Sequence, residues 1–138
     1  MRILVIDAQG GGMGKQLVAA VKREFPLAEI TAVGTNSAAT ASMLKAGAHH
    51  AATGENAVVV GCRKADVIIG PIGVAIADSM YGEITPPMAV AVGQSSAKKL
   101  LIPMNQCDNI IIGVSGVSMS DMIDAVIVRL KEIEAAKN

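Results

Sequence analysis

Apolar and polar positions along the chain change period several times, and each change marks an element. Residues 2–6 form a short β-branched run followed by glycines, which predicts a buried strand. Met13, Leu17, Val18, Val21 and Phe25 then repeat at helical spacing, and Pro26 ends that helix. Residues 29–33 read as a second strand closed by Gly34. Residues 37–46 read as a helix of small residues stopped by Gly47. A short third strand is predicted over residues 49–52. Residues 57–62 hold consecutive valines and could be a strand, but a helix over 55–65 is preferred because Thr53 and Asn56 suit its first turn. Residues 67–70 are a buried strand. Residues 72–96 hold a loop and at least one helix starting near Pro86, where proline fits a first turn.

Residues 100–103 and 110–114 are two more apolar runs. About six residues separate them, and a parallel crossover needs roughly a dozen or more, so an antiparallel pair is expected. The last helix starts at Ser118, with Asp121 placed as in a capping box. Met119, Met122, Ile123, Val126, Leu130 and Ile133 line its apolar face, and the tail past Glu134 is expected to fray. Alternating strands and helices predict an α/β, Rossmann-like three-layer sandwich over residues 1–138. Its sheet is mostly parallel, with an antiparallel strand pair near the C-terminus. Ligands of such sheets bind outside the carboxyl ends of the strands.

The chemistry concentrates in the first turn. Asp7-Ala8-Gln9-Gly10-Gly11-Gly12-Met13-Gly14-Lys15 joins the first strand to the first helix. Glycines let the backbone approach a phosphate, and the helix N-terminus offers free N–H groups. The expected contacts are Gly10, Gly11, Gly12, Met13, Gly14 and Lys15. Three readings compete. The turn resembles that of the short-chain dehydrogenase superfamily, Gly-x-x-x-Gly-x-Gly, with Ala8 at the first position and Gly12 and Gly14 at the others. An acid at the end of the second strand is missing, which weakens NAD, and no Arg stands there for a 2′-phosphate. The Tyr-x-x-x-Lys pair of that superfamily is absent, since Thr85 stands four residues after Tyr81. The turn also resembles the deviant Walker loop of ParA/MinD-type ATPases through Gly11, Gly12, Gly14 and Lys15. There Gly10 replaces the signature Lys, and Gln16 replaces the metal-binding hydroxyl. The third reading is a packing turn that binds nothing.

Other polar clusters fall at the same predicted edge: Thr35 and Asn36, then Gly54, Glu55 and Asn56, then Pro71 in Gly70-Pro71-Ile72-Gly73. Helix capping accounts for much of each, but all converge on one edge. Asn105, Gln106 and Cys107 follow Pro103. Asp78 and Glu83 flank Tyr81 and read as acid/base candidates or solvated charges. His49 and His50 are neighbours that point to opposite faces of a strand, so no metal site is expected.

The ligand class that fits is a nucleotide or other small phosphate-bearing molecule, with NAD(P) among the possible cofactors. A non-catalytic sensor or partner module binding a phosphorylated metabolite is a second function class. A small enzyme using Glu55 or Cys107 is a third. Composition narrows the partners. Net charge is zero and no basic run stands out, so no nucleic-acid partner is expected. The chain has 1 Tyr, 1 Phe and no Trp, which removes stacking platforms for single strands. Two cysteines without metal-like spacing suggest reduced thiols in a cytoplasmic protein. No leader is expected, because the apolar run over residues 1–6 is short and cut by Asp7, and no membrane span, because residues 67–77 are interrupted by glycine and proline. Hydrophobic residues make up 51% of the chain, which predicts a homo-oligomer using residues 74–77 and 84–92.

With these motifs in place, the chain resembles a small bacterial family known only as a domain of unknown function. The likeness rests on residues 9–15, Gly34-Thr35-Asn36, Thr53-Gly54-Glu55-Asn56, Gly70-Pro71-Ile72-Gly73 and Gly82-Glu83-Ile84-Thr85-Pro86. It implies a Rossmann-like fold and brings no activity or catalytic residues.

Overall fold

The computed structural model of the protein describes residues 1–104 and 109–137. In chain order the elements are β1 (Arg2–Asp7), α1 (Gly12–Glu24), β2 (Glu29–Gly34), α2 (Ser37–Lys45), β3 (His50–Thr53), α3 (Glu55–Lys64) and β4 (Val67–Pro71). A 3-10 turn (Ile72–Ala75), α4 (Pro86–Gln94), β5 (Lys98–Ile102) and α5 (Met119–Ala136) follow. The strands form one sheet in the order β3-β2-β1-β4-β5, and every pair is parallel.

Alternation along the strands divides the core into two layers. Ile3 and Val5 of β1, with Ile30, Val67 and Ile69, face α1, α2 and α5. Leu4 and Ile6, with Val33 and Ile68, face α3 and α4. The helical repeat in α1 is buried as its spacing predicts, with Leu17, Val18 and Val21 wholly inside. Each such side chain contributes about 1.5–3 kcal/mol by leaving water. The caps are chemical. Asn36, Thr85 and Ser118 accept the N–H of Ala39, Met88 and Asp121 at the starts of α2, α4 and α5. The helix preferred over residues 55–65 is present as α3. The last helix runs past Glu134, to Ala136.

The expected antiparallel pair is not formed. β5 lies beside β4 in parallel register, from Val67↔Lys98 to Pro71↔Ile102. Residues 110–114 form no strand; Ile110 and Ile112 are 76% and 88% exposed, and Gly113 turns the chain at φ +89°. The short connection excluded a parallel crossover between the two runs, but it did not oblige the second run to pair. Within the apolar stretches expected at an interface, Val74, Ile84, Met88 and Val92 are core residues, while Ala77 and Val90 are exposed. No helix among the described residues is long and apolar enough to cross a membrane.

Candidate functional site

Because all five strands are parallel, the segments after Asp7, Gly34, Thr53 and Pro71 gather at one edge. The strand order reverses between β1 and β4, which makes that edge a topological switch point.

Asp7 organises the glycine turn from below. Its buried carboxylate accepts the N–H of Ala8 at 2.8 Å and of Gly14 at 2.6 Å, tying the end of β1 to the start of α1. Burial pushes its pKa up against the pull of these two N–H donors, and the Glu83 charge pushes the same way. The chain turns through Gln9 and Gly11, both with positive φ. The Gly11 N–H donates to Ala8 O, and α1 then starts at Gly12.

The glycines divide into two pairs. A Cβ on Gly11 would stand 2.8 Å from Ala39 Cα, and one on Gly14 would stand 2.5 Å from Met43 Sδ and 2.8 Å from Asp7 Cβ. These two are required by the packing of α1 on α2 and on β1. Gly10 and Gly12 meet nothing within 4 Å. They line open space, as a ligand-facing backbone must. Among the described residues, no hydrogen bond uses the N–H groups of Gly10, Gly12 or Met13. Lys15 is exposed one turn further on.

Glu83, read from the sequence as an acid/base candidate or a solvated charge, is tied into the glycine turn, which the sequence did not indicate. One of its carboxylate oxygens accepts from Gln9 N–H at 2.9 Å, Thr35 Oγ1–H at 2.6 Å and Asn36 Nδ2–H at 2.9 Å. Asn36 also donates to Gln9 O at 2.9 Å. Burial would raise the Glu83 pKa, but the Thr35, Gln9 and Asn36 donors outweigh it and hold the carboxyl below its usual value. Its sequence signals are its place beside Tyr81 and in the Gly82-Glu83-Ile84-Thr85-Pro86 motif, and neither points to the glycine turn.

Thr35, Asn36 and the glycine turn are therefore one hydrogen-bonded cluster. Gly54, Glu55 and Asn56 stand at the start of α3 on the same edge. Gly54 donates its N–H to Gly34 O, but neither exposed side chain bonds to the turn. Pro71 is buried at the end of β4 and lines a small cavity with Ser79 and Met80. Asn105, Gln106 and Cys107 lie outside the described residues. Cys62 is a buried free thiol whose pKa burial pushes up to about 11. His49 accepts the Ile30 N–H through Nδ1, and His50 lies 3.6 Å from Glu29. No cluster among the described residues has the makings of a metal site.

Residues 72–85 cross the switch point and fill it. Val74, Met80 and Ile84 pack beside Leu4, Ile6 and Ala8. Asp78, Met80 and Tyr81 have φ of +66°, +55° and +58°, which side chains other than glycine adopt at a cost. Ser79 Oγ donates to Gly73 O and Asp78 N–H to Ile84 O, closing the segment on itself. Beside Pro71, Ser79 and Met80 a cavity of only about 20 Å³ remains. Larger cavities lie away from this edge: about 610 Å³ between α3 and α4, about 460 Å³ between α3 and the sheet, and about 400 Å³ between β5 and α5. At the glycine turn itself, Gly10 and Gly12 border open space.

Fold and edge together define a Rossmann-like α/β protein. The family described as Domain of unknown function (DUF3842) matches residues 2–135, and the chain belongs to it. No curated protein matches the chain. Among solved structures, the fold is similar to one described as a dodecameric FMN-dependent UbiX-like decarboxylase from Escherichia coli O157:H7. The TM-score is 0.55 at 16% identity, covering 98% of this chain and 95% of that one.

Proposed function

We propose that the protein binds a nucleotide or other phosphate-bearing ligand at the carboxyl edge, with the phosphate against the N–H groups of Gly10, Gly12 and Met13. The observation that carries this is the pairing of unused donors with open space at Gly10 and Gly12. The N-terminus of the 13-residue α1 adds a favourable dipole worth about 0.3–1 kcal/mol toward an anion. Lys15 in the first turn opposes that dipole, so its placement favours a role in attracting an anion. NAD(P) and FMN, the latter named for the solved neighbour, belong to the same ligand class. The proposal is for binding in the cytoplasm, without an assigned reaction.

Thermal shift with AMP, NAD, NADP, FMN and pyrophosphate tests the reading. A ligand at 100 times its Kd stabilises by about 2.7 kcal/mol. For a chain of this size that raises Tm by roughly 10 °C. No shift with any of the five overturns the proposal.

We also propose a homo-oligomer assembled through the β5 and α5 side. Val128 of α5 is more than half exposed, and the groove between β5 and α5 is lined by Leu100, Val117 and Met122. Light scattering is expected to give at least twice the 14.1 kDa chain mass. A monomer at high micromolar concentration overturns it.

A further inference from the structure

We infer that Glu83 selects a ligand carrying a free sugar hydroxyl close to its phosphate, a ribonucleotide with an unmodified 2′-hydroxyl, and rejects a phosphate at that position. The inference rests on the phosphate reading of the glycine turn and deepens it. One Glu83 oxygen is fully engaged, with donors from the β1 turn and from the segment after β2. This triple hold fixes the direction of the carboxylate. The other oxygen has no partner among the described residues. No buried side-chain oxygen or nitrogen there is left unsatisfied, so the second oxygen faces solvent. It is an acceptor held ready for an external donor.

Position identifies the donor. Glu83 grips the N–H of Gln9, the residue before Gly10, and consecutive Cα atoms lie about 3.8 Å apart. A group on Glu83 must therefore belong to the same small unit as a phosphate on Gly10 and Gly12. Thr35 and Asn36 place the carboxylate over the end of β2, where Rossmann-like sheets hold a ribose hydroxyl with an acid. Here that acid arrives from the segment after β4 instead of from β2 itself. A hydroxyl donates to a carboxylate, whereas a phosphate has no proton to give and meets like charge.

Calorimetry with AMP, 2′-deoxy-AMP and adenosine 2′,5′-bisphosphate tests this on the wild type and on Glu83→Gln. Wild type is expected to bind AMP at least about tenfold more tightly than either analogue, as loss of a hydrogen bond to a charged group implies. Glu83→Gln keeps an acceptor for Gln9, Thr35 and Asn36 but removes the charge, and should bring the 2′-phosphate within about threefold of AMP. If that variant does not fold, the wild-type comparison alone decides. Equal binding of AMP and its 2′-deoxy form overturns the inference and leaves the phosphate reading standing. So does binding of FMN or pyrophosphate without AMP. Uniformly tighter binding by Glu83→Gln also overturns it, because Glu83 would then be a plug. No binding by any of these compounds overturns both readings.

Discussion

Gly11→Val is expected to cost about 2–5 kcal/mol of folding stability, while Gly12→Val, one residue later, costs no more than about 0.5 kcal/mol. The first figure has two sources. Gly11 has φ +73°, a conformation that costs a side-chain-bearing residue about 1–2 kcal/mol. Its new Cβ would also stand 2.8 Å from Ala39 Cα and 3.0 Å from Ala39 O, atoms of helix backbone that cannot rotate away. Forcing α1 from α2 adds about 1–3 kcal/mol. Gly12 has neither problem, since a Cβ there would meet no atom within 4 Å. Chemical denaturation of the two variants checks the contrast. A midpoint for Gly11→Val equal to the wild type would show that α1 and α2 do not pack as described.

Gly12→Val is expected instead to weaken nucleotide binding by about a hundredfold or more. The valine would stand over the N–H groups of Gly12 and Met13, where the phosphate is proposed to sit. Hydrogen bonds to a charged partner contribute about 1.5–3 kcal/mol each, so losing two exceeds two orders of magnitude. Calorimetry with AMP on the wild type and this variant reads the effect directly. Equal affinities would remove the turn from the site. The two substitutions thus separate a glycine needed by the fold from a glycine needed by a ligand.

That separation was not legible in the sequence, where Gly10 to Gly14 look alike. It depends on where Ala39 and Met43 of α2 come to rest, and no local pattern encodes that. Local signals did well where local physics decides: the β-branched runs of β1, β2 and β4, the proline opening α4, and the Ser118 cap of α5. The run at 110–114 misled because β-branching and a short connection do not oblige a run to pair as a strand. Glu83 was an acid/base candidate in the sequence, but its partners were hidden for a related reason. Its partner Thr35 lies 48 residues away, and the acid sought after β2 is supplied through space. Glu55, named from its position beside a strand end, reaches the edge without bonding to the turn.

The backbone of Asp78, Met80 and Tyr81 has a consequence for how the molecule comes apart. Three side-chain-bearing residues in left-handed geometry carry about 3–6 kcal/mol of conformational energy that the native contacts must offset. Releasing the segment returns that energy and so offsets part of what is lost when Met80 and Ile84 leave the core, which lowers the cost of opening it locally. A bound molecule bridging Gly12 and Glu83 would fasten this strained segment to the buried sheet. Protection of amides 78–84 from solvent exchange is then expected to rise with occupancy, so that the breathing of the chain gauges filling of the proposed site.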